Sequence, residues 1–348
     1  MAYKYTHFIP QNTAPVGAKK IGVYNASGKM ILDIPLGRLT PTTKQKLYSF
    51  GVISDMHLYK TAVGWSPDTK MDAALSYFEE KGCVMCLHCG DITQTGFYNE
   101  GNTTDLDPAQ FAAFKTVCDD HAISVHGIPG NHESYVVPIT SNLTEFNTYT
   151  GDSLTYTMEH GDDLFVFVGQ STGTAMMADE SLQWLYETLE ANRNRRCFVF
   201  IHPYIRGDSG DPLAIHKEPI STYWGTKTIA LMNLLAHYKN TVLFHGHSHY
   251  RFDCQELDKT ANYTEKNGFR SVHIPSLGHP RTIVDNAPTY VPEESYAVLV
   301  DVYDGCIVTN GVNMINGTIE PIGTFEIDTT LVTVPAGSFT DNTGIIVT

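Results

Sequence analysis

The chain has no run of clustered lysines and arginines, no apolar stretch long enough to span a bilayer, and no cysteine spacing that suggests a disulfide scaffold. Each absence removes a class of protein. The 23 basic residues are scattered and outnumbered by 38 acidic ones, for a formal charge of -15. Gripping a nucleic-acid backbone takes several clustered cations, so no extended duplex-binding surface is expected. A small phosphate ester, or a nucleic-acid end, stays open as a partner. A membrane-spanning helix needs about 20 apolar residues; without one, no membrane partner is expected. The first residues, Met1-Ala2-Tyr3-Lys4-Tyr5-Thr6-His7, lack the apolar core of an export signal, and a cytoplasmic location is the expectation. The seven cysteines are odd in number and widely spaced. Cys83, Cys86 and Cys89 fall three apart but sit in a strand-like run with no second pair. They read as buried free thiols rather than as a metal or redox site.

What is present is ample apolar material, 42% of 348 residues, enough for one large domain or two smaller ones. Residues 1–45 read as a β-hairpin extension. Ile21–Tyr24 and Met30–Pro35 flank the turn signal Asn25-Ala26-Ser27-Gly28. Such a hairpin would decorate the main sheet, form an oligomer contact or serve as an attachment arm. Residues 46–310 alternate strand-like and helix-like segments. Residues 311–348, rich in Thr, Ile, Val and Gly, read as a β-rich tail or small module.

In the central region, apolar runs end repeatedly in polar residues able to bind metal. Leu47–Ser54 leads to Asp55 and His57. Val84–Cys89 leads to Asp91, Ile123–Ile128 to Asn131 and His132, and Cys197–Ile201 to His202. Val242–Phe244 leads through Gly246 to His247 and His249. Helical stripes fall between them: Met71, Ala74, Leu75 and Phe78; Phe111, Phe114 and Val117; Leu182, Leu185 and Leu189; Ile229, Met232 and Leu235. Asp107-Pro108-Ala109-Gln110 reads as a helix start, with Gln110 reaching back to cap it. Open α/β sheets place their ligands at the carboxyl ends of strands. In extended backbone, residues two apart share a side, so Asp55 with His57, and His247 with His249, are expected to point together. Seven oxygen and nitrogen donors without cysteine do not suit a closed structural zinc site. Four imidazoles among mixed oxygen ligands suit Mn, Fe, Zn, Co or Ni better than Mg.

The ordered set Asp55-Met56-His57, Gly90-Asp91, Gly130-Asn131-His132-Glu133, His202 and Gly246-His247-Ser248-His249 resembles the calcineurin-like metallophosphoesterase family, from about Leu47 to Asp304. That resemblance implies an α/β fold, a four-layer α/β/β/α sandwich of two mixed sheets flanked by helices. It implies two divalent or trivalent transition metal ions, Mn, Fe or Zn. Asp55, His57, Asp91 and His249 would hold one ion. Asp91, Asn131, His202 and His247 would hold the other, with Asp91 shared. His132 would sit beside the phosphate to stabilise charge or protonate the leaving oxygen, and Glu133 would orient His132. The implied reaction is hydrolysis of a small phosphate diester, such as a (cyclic) nucleotide, by attack of a metal-bridging hydroxide. The same site would suit a phosphomonoesterase or a nuclease. A non-catalytic structural or binding protein, for example a phage-particle component that retains the enzyme core, is the alternative from another class. A homo-oligomer is compatible with the sequence.

Further polar residues have two readings each. His88, His126 and His245 serve either as buried structural histidines or as partners behind the ligands. His273 and His279 belong to a late strand-loop region that could line the cleft. Arg206, Lys227, Arg251 and Arg281 are phosphate clamps or surface ions. Tyr135, Tyr204, Tyr223 and Trp224 either stack on a base or pack loops.

Overall fold

The computed structural model describes residues 20–24, 30–35, 45–61, 64–66, 68–94, 108–134, 139–169, 177–204, 226–257, 262–266, 268–285 and 287–348. Two compact units are present, residues 1–45 and 46–348. In the first, β1 (Lys20–Tyr24) and β2 (Met30–Pro35) pair antiparallel, with Lys20 opposite Pro35.

The second unit runs in order through β3 (Lys46–Ile53), β4 (Tyr59–Thr61), β5 (Gly64–Ser66), α1 (Asp68–Glu80), β6 (Cys86–His88), α2 (Pro108–Asp119), β7 (Val125–Gly127), α3 (Asn131–Ser134) and α4 (Ile139–Thr150). It continues with β8 (Thr155–His160), β9 (Asp163–Val168), α5 (Asp179–Ala191), β10 (Cys197–Ile201), α6 (Thr226–His237) and β11 (Thr241–His245). Last come β12 (Tyr263–Lys266), β13 (Phe269–His273), β14 (Arg281–Val284), β15 (Ala287–Tyr290), β16 (Tyr296–Tyr303), β17 (Cys306–Asn313) and β18 (Thr318–Asp328).

Two mixed six-stranded sheets dominate, ordered β18-β17-β16-β3-β6-β7 and β12-β13-β11-β10-β9-β8. β3, β6 and β7 run parallel in one; β9, β10, β11 and β13 run parallel in the other. Parallel strands covered on both faces read as unbroken apolar runs, and β10 shows why. Phe198 and Phe200 enter the layer between the sheets, with Phe50 and Val52 of β3. Cys197, Val199 and Ile201 face the opposite way, onto α5 and α6. The outer face of the other sheet packs Ile53 and Cys86 against Met71 and Phe78 of α1 and Phe111 and Phe114 of α2. The result is the expected α/β/β/α sandwich.

Several details depart from the sequence reading. Leu235 is buried and Met232 packs against the core as expected, but Ile229 is exposed, and α6 also buries Ala230, Leu231 and Leu234, because the helix packs through two adjacent positions per turn. Gln110 Oε1 accepts from the Gln94 amide at 2.8 Å, and Asp107, which opens the expected cap, lies outside the described residues. The boundary drawn near 310 falls inside β17, whose register with β16 runs unbroken across it, while its register with β18 shifts between Thr309 and Gly311. Residues 329–348 form no strand. They cover the outer helices through Val334, Phe339 and Ile346. All seven cysteines are free thiols. Among the described residues, no helix is long and apolar enough to cross a membrane.

Candidate metal centre

The segments after five strands meet where the carboxyl ends of both sheets converge. Asp55 and His57 follow β3, Asp91 follows β6, Asn131 opens α3 after β7, His202 follows β10, and His247 and His249 follow β11. All are buried except His247, which is intermediate. Main-chain bonds fix the loops to one another: Asp55 N to Gly90 O, His57 N to Asp91 O, and Gly246 N to His202 O. The His247 amide crosses between the sheets and donates to Asp55 Oδ2 at 2.9 Å.

These loops are not extended. Asp55, His57, Asp91, His247 and His249 have φ of 54°, 53°, 55°, 72° and 64°, the left-handed region that residues with a Cβ seldom enter. The expected convergence of Asp55 with His57, and of His247 with His249, therefore arises from alternate left-handed residues rather than from strand pleating. Close approach also explains Gly246. A Cβ there would collide with Ser54 Oγ and lie 2.5 Å from Asp55 Oδ2.

The donors form two groups that share Asp91. In each, one ligand atom per residue lies within 4.8 Å of the others: Asp55, His57, Asp91 and His249, then Asp91, His202 and His247. In the first group, His249 Nε2 is 3.1 Å from Asp55 Oδ1 and 3.1 Å from His57 Nε2. In the second, His202 Nε2 is 3.1 Å from Asp91 Oδ2, 3.1 Å from His247 Nδ1 and 2.9 Å from Asn131 Oδ1. All seven expected residues are thus brought together.

The tautomers matter here. His249 Nδ1 donates to His279 O at 3.1 Å, and His202 Nδ1 donates to Cys89 O at 2.7 Å. A carbonyl only accepts, so each of these rings carries its proton on Nδ1 and, when neutral, aims the Nε2 lone pair at carboxylate oxygen. Lone pair facing oxygen at about 3 Å is repulsive unless a proton or a cation lies between. Burial opposes charge on His202, but Asp91 and Asp55 outweigh it and push its pKa up to about 9. Burial would raise the Asp55 pKa, yet His249, His202 and His57 hold it well below the usual carboxylate range. Burial, His132 and His249 together keep His57 well below its ordinary value. Mixed imidazole and carboxylate donors with converging lone pairs fit a pair of transition-metal cations.

His132 is near but turned differently. Its amide donates to Asp91 Oδ1 at 2.9 Å, its ring lies 4.5 Å from that of His57, and its Nε2 is 3.9 Å from Asp91 Oδ2. Glu133 does more for the loops than its expected role of orienting His132. Its fully buried carboxylate accepts from the amides of Asp91, Thr93 and Gly130 and from Thr93 Oγ1, at 2.7–3.0 Å. Burial and the charge of Asp91 raise its pKa, while the amides of Thr93 and Gly130 oppose them.

Of the residues with two readings, His88 Nδ1 accepts from the Gly90 amide, His126 pairs with Asp152, and His273 Nε2 lies 2.6 Å from Ser248 Oγ. His245 is a buried strand residue whose ring lies 5.6 Å from that of His273. His279 reaches the site, its ring 5.3 Å from that of His57. Tyr204 stacks on His247 at 5.5 Å. Lys227 pairs with Asp179, and Arg251 with Asp253 and Glu294, so these cations are engaged elsewhere. Arg281 lies over Tyr290. Arg206, Tyr135, Tyr223 and Trp224 lie outside the described residues. Sequence reasoning missed Ser276, whose Oγ donates to Asp55 O at 2.7 Å; a serine in a loop carries no periodic signal that would single it out.

The sequence profile of the calcineurin-like phosphoesterases matches residues 48–251, more than half of the chain. This chain belongs to the calcineurin-like phosphoesterase family. That family membership makes it a metal-binding hydrolase of phosphate esters by class. No curated protein matches its sequence. Solved structures resemble it only at low identity. A conserved uncharacterized protein of Streptococcus pneumoniae TIGR4 is 10% identical over 81% of this chain and 97% of its own, with a TM-score of 0.38. The phosphoesterase Yfce of E. coli is 10% identical over 81% and 100%, with a TM-score of 0.37. Vps29 of Entamoeba histolytica, solved with Zn2+, is 12% identical over 81% and 99%, with a TM-score of 0.37.

Proposed function

We propose that this chain hydrolyses a small phosphate diester, such as a cyclic nucleotide, at a centre of two Mn, Fe or Zn ions. The observation that carries the reading is the pair of donor groups sharing Asp91, with imidazole lone pairs and carboxylate oxygens converging at about 3 Å. Asp55, His57, Asp91 and His249 would hold one ion, and Asp91, Asn131, His202 and His247 the other. Such cations supply charge that screens the anionic ester and an acidified water as nucleophile. The protein's own work is to hold those donors, to exclude bulk water by burial, and to keep His132 beside the ester. His132 then passes a proton to the departing oxygen. Glu133 keeps the loop of Asp91 and the turn at Gly130 in register. The acidic charge of the chain, -15, fits a monoanionic diester.

The test is metal analysis together with turnover of bis-p-nitrophenyl phosphate, p-nitrophenyl phosphate, cyclic nucleotides and short single-stranded DNA. Two ions per chain, diester turnover, and a loss of about a thousandfold or more in Asp91→Asn or His202→Ala with the fold retained are expected. Faster turnover of the monoester or of DNA would replace the diester reading. A metal-free, inert protein would favour a binding or structural role.

A further inference from the structure

Lys70, in the first turn of α1, lies outside every recognised block, yet its ammonium is fully used. Nζ donates to the main-chain carbonyls of Gly278 at 2.9 Å, Pro292 at 2.7 Å and Glu294 at 2.6 Å. An ammonium has three donors: one is spent on Gly278, within residues 276–281, and two on Pro292 and Glu294, in a stretch tied to that segment by Val291 N to Pro280 O and Ser295 Oγ to Leu277 O.

Among the described residues, the bonds of that segment reach Asp55 and His249, two members of one donor group. The amides of Leu277 and Gly278 donate to Ser54 O and Asp55 O, and Ser276 Oγ donates to Asp55 O. Ser276 Oγ also accepts from the His279 amide at 2.7 Å. The Arg281 amide donates to His249 O at 2.8 Å, and His279 O accepts from His249 Nδ1. The segment therefore supports two left-handed residues, Asp55 and His249, and sets which nitrogen of His249 carries the proton. The ring of His202 bonds instead to Cys89, Asn131 and His247.

We propose that Lys70 is a positioning residue for the Asp55, His57, Asp91 and His249 site: by gathering three carbonyls it fixes the 276–281 segment, which holds Asp55 in place and keeps the His249 proton on Nδ1. This rests on the two-metal reading of the centre, although one arm of the test does not. Groups that hold a metal-ligating imidazole from behind are typically worth 10- to 100-fold in metal affinity.

The experiment titrates Mn2+ into the full-length protein and its Lys70→Met variant, which keeps the apolar stem and removes the three donors. One of the two Mn2+ sites should weaken by about 10- to 100-fold and the other should hold within about twofold. Lys70→Arg, which keeps donors at the end of the stem, should recover part of the loss. In the metal-free proteins, nitrogen-15 spectra of the imidazoles should show His249 protonated on Nδ1 in the wild type and a tautomer mixture in Lys70→Met. Equal weakening of both sites, or unchanged affinity with an unchanged tautomer, would overturn the proposal. If the wild type binds no Mn2+, the two-metal reading fails, and the tautomer comparison alone decides the role of Lys70. Should Lys70→Met fail to fold, Ser276→Ala removes one tie to Asp55 and must reproduce the one-site loss.

Discussion

A left-handed backbone costs a residue with a Cβ about 1–2 kcal/mol, and Asp55, His57, Asp91, His247 and His249 all adopt it. That strain persists because the surrounding bonds over-determine the loops, so the residues behind the ligands matter as much as the ligands. Gly246→Ala would drive a methyl group into Ser54 Oγ and Asp55 Oδ2. We expect a loss of about 1–3 kcal/mol and reduced metal occupancy, read by thermal unfolding and elemental analysis; wild-type values for both would contradict the packing. Glu133→Gln turns an amide NH2 towards the N–H groups that the carboxylate now accepts from. The expected cost is about 3 kcal/mol, measured by urea unfolding, and a variant as stable as the parent would show that the charge is dispensable.

At the scale of elements, each strand divides its duties. β10 sends Phe198 and Phe200 inward, Val199 outward, and delivers His202 at its end. The irregular stretch after β18 closes the outer layer over α5 and α6. It is held by side chains in place of a strand ladder: Asn240 exchanges two bonds with the main chain of Val332, and Asn194 accepts from the Val334 amide. Phe339, buried among Tyr186, His237 and Tyr238, anchors that stretch. Phe339→Ala should cost about 3 kcal/mol with turnover per folded molecule unchanged, because none of these residues supplies a donor to the centre. A fall in turnover matching the fall in stability would couple the stretch to the site.

Over the whole molecule, two features decide how it responds to conditions. Arg196 of the segment before β10 forms a bidentate pair with Asp163 and donates to Tyr303 O of β16, joining the two sheets at the end remote from the metal donors. Acid sensitivity comes from imidazoles buried neutral. Burial brings the His88 pKa down to about 4 from the ordinary 6.5. Between those values the unfolded chain takes up a proton and the folded chain does not. The stability from neutral His88 is therefore complete above pH 6.5 and is lost as the pH falls towards 4, by up to about 3 kcal/mol. His88→Asn keeps an acceptor for the Gly90 amide but cannot titrate. Its unfolding free energy in the metal-free protein should fall less steeply between pH 7 and pH 4.5 than that of the wild type, and parallel slopes would rule out His88 as the titrating group.

The sequence by itself determined the alternation of strands and helices and the candidate donors, and its resemblance to a family implied the layers. Apolar runs of strand length and helical stripes such as Met71, Ala74, Leu75 and Phe78 carry their own period, and hydrophobic burial acts on that period locally. The polar blocks at the strand ends named the seven residues that meet. Tertiary structure decided what the period cannot encode. It set the left-handed turns that aim the ligands, the carboxylate of Glu133 tying separate loops together, and the continuity of β17 through position 310. It also brought Lys70 to carbonyls more than two hundred residues away. Those depend on contacts between distant segments, where one hydrogen bond to a main-chain carbonyl leaves no pattern in the chain that makes it.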